Sequence, residues 1–172
     1  MLKKLFSAED IRKTVKGLAR QIEEDYADEE LLFVCLLKGS FMFTSDLVRH
    51  VRNPARIDFM RVSSYGNGTS TTGTIKVIKD LDEDVAAKNV IIVEDIIDSG
   101  RTLTHVRDMI GDRKPRSLKI CALIDKRSRR EVPIEGDYVG FTIDDGFVVG
   151  YGIDYAELYR NCPEICVLEE DE

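Results

Sequence analysis

The 172-residue sequence has no apolar run approaching the roughly 18 residues that would suggest a membrane span. Its opening, MLKKLF, turns polar and acidic at Ser7 to Asp10, so the apolar stretch of a secretory signal is missing and the expected location is the cytoplasm. Cysteine is scarce. Cys35 and Cys121 lie inside apolar, strand-like runs where a free thiol behaves as a small hydrophobe, and Cys162 and Cys166 flank a Pro-Glu-Ile, which argues against a disulfide framework. The two histidines, His50 and His105, do not fall at zinc-site spacing with these cysteines. Positive charge is also in deficit: 25 Lys and Arg face 32 Asp and Glu, a net charge of −7. That argues against broad adhesion to nucleic acid or an anionic membrane and leaves room for a local basic pocket. Generic nucleotide signatures are absent as well. The P-loop pattern fails because Val34 stands where the leading glycine of Leu37-Lys38-Gly39-Ser40 should be, and G-x-G-x-x-G is broken after both Gly66-Asn67-Gly68 and Gly150-Tyr151-Gly152.

What is present suits one domain able to bury about 70% of its unfolded surface. Ser7-Ala8-Glu9-Asp10 resembles a capping box with Asp in place of Glu, and Ile11, Val15, Leu18 and Ile22 recur at helical spacing, which predicts an amphipathic helix from about Ala8 to Tyr26. Leu31 to Leu37 reads as a parallel strand covered on both faces. A helix over Phe41 to Val51 follows, with Ser40 as its N-cap. After Asn53-Pro54 a strand is expected to about Val62. Ser63 to Thr74, rich in Gly, Ser and Thr, reads as a long binding loop or lid before a strand at Ile75 to Ile78. Further strands are expected at Val90 to Val93, Leu118 to Leu123, Tyr138 to Ile143 and Ile165 to Leu168, with a helix over Thr102 to Ile110. Alternating strands and helices imply an α/β fold with a mainly parallel sheet.

The stretch VIIVEDIIDSGRTL, Val90 to Leu103, carries the chemistry. A buried strand delivers Glu94 and Asp95 to the carboxyl end of the sheet, where α/β folds bind ligands. Behind them Ser99-Gly100-Arg101-Thr102 leads into a helix N-terminus, whose amides and dipole can converge on a phosphate. The carboxylates would repel that phosphate. They should therefore face hydroxyls or a divalent cation on the same ligand. A molecule with a sugar diol, a phosphate and a metal-bound polyphosphate satisfies every part.

This stretch resembles the 5-phosphoribosyl 1-pyrophosphate (PRPP) motif of the type I phosphoribosyltransferases. LLKGS at 36 to 40, RVSSYGNG at 61 to 68, DKRSRR at 125 to 130 and FVVGYGIDYAELYRN at 147 to 161 resemble the 6-oxopurine members of that family. The resemblance implies a single domain over 1–172 with a mainly parallel twisted sheet flanked by helices. Its core motif is 90–103, its flexible lid about 63–74, and its small base-binding hood lies at about 125–161. It implies transfer of ribose 5-phosphate from PRPP to hypoxanthine or guanine, giving IMP or GMP and pyrophosphate, with Mg2+ as cofactor and a homodimer or homotetramer as the assembly.

Residue by residue, the same resemblance implies that Glu94 and Asp95 bind the ribose hydroxyls directly or through Mg2+, and that Ser99, Gly100, Arg101 and Thr102 hold the 5-phosphate. Arg101 stands where some relatives carry lysine. Asp98 is the base near purine N7, and the bland alternative for it is a cap on the following helix. Lys126 donates to the 6-oxo group, Phe147 stacks on the purine, and Val148 offers backbone atoms to the base edge. Asp154 helps hold a second Mg2+ near the purine 2-position. Lys38, Gly39 and Arg160 contact pyrophosphate, with a cis peptide before Lys38, and Ser64 and Tyr65 close over PRPP. Arg127, Arg129 and Arg130 are expected to form a solvated basic patch or a subunit contact. Two other readings are compatible with the same motif: a non-catalytic PRPP sensor that binds nucleic acid, and a transferase that prefers xanthine.

Overall fold

The structure, a computed structural model, describes residues 1–65 and 74–169. Strand β1 (Leu2–Phe6) leads into helix α1 (Ala8–Tyr26). The helix starts where it does because Ser7 and Asp10 cap each other: Asp10 N donates to Ser7 Oγ at 3.1 Å and Ser7 N donates to Asp10 Oδ2 at 2.9 Å. Its Ile11, Val15, Leu18 and Ile22 are buried, as their spacing predicts. Next come β2 (Leu31–Leu36), α2 (Phe41–His50), β3 (Ala55–Tyr65), β4 (Thr74–Lys79), β5 (Asn89–Ile97), α3 (Arg101–Gly111), β6 (Ser117–Lys126), β7 (Tyr138–Ile143), β8 (Val148–Val149) and β9 (Ile165–Leu168).

Six strands form one sheet in the order β4-β3-β2-β5-β6-β7, parallel except for the β3–β4 pair. All six residues of β2 are buried because helices cover both faces. On one side α1 and α2 pack over Phe33, Ile91, Val93 and Leu123; on the other, α3 packs over Val34, Ile92 and Ala122. Each such large side chain contributes about 1.5–3 kcal/mol by leaving water. A second, antiparallel sheet, β1-β9-β8, joins the two ends of the chain.

The structure corrects several sequence expectations. β3 continues through Ser63 and Ser64 to Tyr65, and β4 begins at Thr74, so those residues belong to a hairpin ladder rather than to a loop. The rest of the expected lid lies outside the described residues. β5 continues past Val93 through both acids to Ile97, and β6 reaches Lys126. Ser40 occupies the N-cap position of α2 but caps nothing; its hydroxyl donates instead to the Leu36 carbonyl at 2.6 Å. Asp98 does not cap α3, whose N-cap is Gly100 at φ 83°. There an added Cβ would lie 2.5 Å from the Ile134 side chain. Among the described residues no helix is long and apolar enough to cross a membrane. All four cysteines are free thiols.

Candidate active site

The site assembles where β5 outruns β2. The β2–β5 pairing ends at Cys35 and Val93, while on its other side β5 stays paired with β6 out to Ile97 and Asp125. Glu94 and Asp95 therefore sit on rigid strand, half-buried, with one flank no longer covered by a neighbouring strand. Their backbone is pinned locally: Asp95 N donates to Glu94 Oε1 at 3.1 Å and Ile96 N donates to Asp95 Oδ1 at 2.9 Å. Desolvation, reinforced by the neighbouring Asp95 carboxylate, raises the pKa of Glu94 well above the usual carboxylate range. Two such acids ionise together only at a cost, and a divalent cation or a pair of hydroxyl donors removes that cost.

Beside the acids, Glu94, Asp98, Ser99, Gly100 and Thr102 line a pocket of about 140 Å³ with Ile96, Ile97 and Leu103. It opens onto the N-terminus of α3, whose first-turn amides have no partner within the helix. The loop is fixed from behind. Arg101 N donates to Ser99 Oγ at 3.3 Å, Glu131 N donates to Ser99 O at 2.9 Å, and Arg101 forms an ion pair with Glu131. Asp98 is exposed.

Across from the acids, the peptide between Leu37 and Lys38 is cis, and Gly39 follows at the head of α2. A Cβ on Gly39 would lie 1.9 Å from Asp95 Oδ2, and one on Gly152 would lie 2.5 Å from the Gly39 carbonyl oxygen. Three segments distant in sequence thus meet at van der Waals range only because two of them carry glycine there. Gly152 belongs to a turn in which Arg160 is held: its Nη1 donates to Gly152 O at 2.7 Å, its Nη2 pairs with Asp154 Oδ1 at 2.9 Å, and its Nε is buried without a partner among the described residues. Lys38 Nζ donates to Glu157 Oε2 at 2.8 Å, a contact the sequence did not suggest.

The third wall carries Lys126, the last residue of β6. It is 6% exposed, and among the described residues its ammonium makes no hydrogen bond or ion pair. Asp125 beside it is 2% exposed and is held by Arg127 at 3.0 Å and by Arg130. The basic run is therefore not uniformly solvated. Arg130 is mostly buried and also donates to the carbonyls of Asp98, at 3.2 Å, and Ile134, tying the loop after β6 to the loop after β5. Phe147 is 51% exposed, so it is not core; its ring stands edge-on to Tyr155 with centroids 5.3 Å apart. Val148 is buried in β8, paired with Val167. Ser64 is exposed near the end of β3 and Tyr65 is its last residue.

The acids fit a hard divalent cation, which takes oxygen ligands. Among the described residues no group of three potential ligands gathers, and Asp154 is committed to Arg160 and to Glu157 N at 2.8 Å. A bound Mg2+ would draw its remaining ligands from substrate oxygens and water.

The chain resembles known proteins in sequence and in fold. The chain is 56% identical over 158 residues to a hypoxanthine phosphoribosyltransferase of Salmonella typhimurium, covering 91% of this chain and 89% of that one. It is 46% identical over 170 residues to a hypoxanthine-guanine phosphoribosyltransferase of Aquifex aeolicus, covering 98% and 96%. Among solved structures, a hypoxanthine-guanine phosphoribosyltransferase of Bacillus anthracis with a HEPES molecule in its active site superposes with a TM-score of 0.94 at 51% identity, over 98% of this chain and 100% of that one. The phosphoribosyl transferase domain family matches residues 1–156, and the chain belongs to that family.

Proposed function

We propose that the protein transfers the 5-phosphoribosyl group of PRPP to a 6-oxopurine, hypoxanthine and guanine first, releasing pyrophosphate and forming IMP or GMP in cytoplasmic purine salvage. One observation carries this reading: Glu94, a desolvated carboxyl beside Asp95, lines the same small pocket as a helix-N-terminal anion loop, and Lys126 is buried at the end of the adjacent strand β6. Glu94 and Asp95 grip the ribose hydroxyls. Ser99, Gly100, Arg101 and Thr102 cradle the 5-phosphate with backbone amides and hydroxyls. Lys38, Gly39 and Arg160 receive the pyrophosphate arm. Bound Mg2+, held by Glu94 and Asp95 with Asp154 serving a second ion, supplies charge neutralisation of the leaving pyrophosphate.

Asp98, exposed at the pocket rim, takes the proton from purine N7 as N9 attacks. Phe147 stacks on the base and the Val148 backbone meets its edge. Lys126 offers donors only, so a 6-oxo group satisfies it and a 6-amino group does not. Ser64 and Tyr65 lie on the hairpin that closes over PRPP and excludes water. The exposed Ile57 and Phe59 of β3 supply apolar surface for a homodimer or homotetramer.

The test is pyrophosphate release by purified protein with PRPP and Mg2+, given hypoxanthine, guanine, xanthine or adenine separately. Hypoxanthine and guanine should turn over, with adenine slower by about 10²-fold or more because a polar contact goes unmet. PRPP binding without turnover on any base would defeat the proposal in favour of a sensor; fastest turnover on xanthine would reassign the substrate.

A further inference from the structure

Glu157 carries a charge that none of the roles above uses. Its carboxylate accepts from Lys38 Nζ at 2.8 Å and lies 3.5 Å from Arg160 Nη2, so one acid answers both cations gathered on this wall. Lys38 and Arg160 come from segments far apart in sequence, and in the described structure Glu157 is the one side chain that touches both. Its main chain is fixed: Glu157 N donates to Asp154 Oδ2 at 2.8 Å, and Ala156 and Glu157 both hold left-handed backbone, at φ 51° and 66°. Its side chain is not fixed. It is 65% exposed and its Lys38 partner 44%, and an ion pair so open to water is weak and readily exchanged. Arg160, in contrast, is locked by Asp154 and the Gly152 carbonyl, and its buried Nε has no partner among the described residues.

We propose that Glu157 is an internal stand-in for pyrophosphate. It neutralises Lys38 and Arg160 while the pyrophosphate subsite is empty, swings into solvent when the diphosphate arm of PRPP arrives, and returns as pyrophosphate departs, speeding release of that product. The inference rests on the proposed roles of Lys38 and Arg160. Pyrophosphate brings several negative charges to two cations, so it displaces a single exposed carboxylate. Competition for the cations and repulsion between like charges act in the same direction: removing the Glu157 charge tightens pyrophosphate binding. IMP places its phosphate in the Ser99 to Thr102 loop instead, so its affinity does not depend on Glu157.

Titration calorimetry of Mg2+-pyrophosphate and, separately, of IMP tests this in the wild-type protein, Glu157→Gln, Glu157→Asp, Lys38→Ala and the Lys38→Ala/Glu157→Gln double variant. Glu157→Gln should bind pyrophosphate about two- to fivefold more tightly, the scale of an exposed ion pair, with IMP affinity unchanged. The gain should shrink in the Lys38→Ala background, where the stronger of the two contacts that Glu157 makes is gone. Glu157→Asp, which keeps the charge, should stay near wild type. Equal pyrophosphate affinity in wild type and Glu157→Gln, while Lys38→Ala weakens it, overturns the role of Glu157 and leaves the pyrophosphate subsite standing. Unchanged affinity in Lys38→Ala overturns the subsite itself. Parallel shifts in pyrophosphate and IMP affinity in Glu157→Gln would mark a structural residue and also overturn the inference.

Discussion

Glu94 sits where β5 leaves the cover of β2, and desolvation there, with the Asp95 charge beside it, keeps its pKa well above the ordinary 4.5. A carboxyl whose folded pKa exceeds its unfolded one contributes stability that is full below the unfolded value and is lost as pH rises through the folded value. The ligand-free wild type should therefore lose Tm relative to Glu94→Gln as pH climbs above about 4.5, because glutamine does not titrate. Mg2+ with PRPP should offset the loss in wild type only. Thermal unfolding of both proteins in a pH series measures it, and parallel curves would remove the burden from Glu94. Gly39 imposes a geometric limit on the same acids. Its missing Cβ leaves room for Asp95 Oδ2, which a methyl would contact at 1.9 Å. Gly39→Ala should push Asp95 aside, lowering kcat/KM by about 10²-fold, the effect of misplacing a positioning group by about 1 Å. Overpacking should cost about 1–3 kcal/mol of stability. Steady-state kinetics with a denaturation curve would check both, and near-normal kcat/KM would show that Asp95 has room to yield.

The loops after β5 and β6 act as one unit because Arg130 spans them. Arg130→Ala would strip Asp125, 2% exposed, down to the exposed Arg127 as its one cation among the described residues. Leaving a buried charge poorly compensated costs about 3–5 kcal/mol. We expect a loss in that range by urea titration, with lower activity as the Asp98 carbonyl loses its tie, and partial recovery of stability in Arg130→Ala/Asp125→Asn. No recovery in the double variant would mean that the arginine works mainly through the Asp98 and Ile134 carbonyls. Arg130 also marks where sequence reading stopped. Val90 to Val93 reads as buried strand because four apolar residues have few other fates. The continuation to Ile97 is invisible to that logic, since it depends on ladder partners in β6 rather than on side-chain pattern. Ser63 to Tyr65 read as loop for the same reason: polar side chains conceal a backbone paired with β4. That Glu94 stands beside the Ser99 to Thr102 loop is legible because the spacing is local. Glu157 was not, because its partner Lys38 is 119 positions away.

The two ends of the chain meet to build the wall that presents Phe147. MLKKLF shows no strand periodicity, and Leu2 to Leu5 are exposed; β1 exists because Leu2, Lys3, Lys4 and Phe6 pair with β9. β9 in turn pairs with β8, and Leu168 N donates to Phe147 O at 2.8 Å. The candidate site thus lies between a helix-covered parallel sheet holding Glu94 and Asp95 and a thin antiparallel sheet that starts next to Phe147, and the two can be uncoupled. Deleting residues 1–5 keeps the stack of Phe6 on Phe141, with centroids 3.8 Å apart, and keeps the Ser7–Asp10 capping box. It exposes one edge of β9. The six-stranded sheet should fold unchanged by far-UV circular dichroism. KM for hypoxanthine should rise on the order of tenfold, as positioning of Phe147 and Val148 loosens, while KM for PRPP changes little, because Glu94, Asp95 and the Ser99 to Thr102 loop stand on β5 and α3. Equal rises in both constants would mean that β1 supports the whole site rather than its base-binding wall.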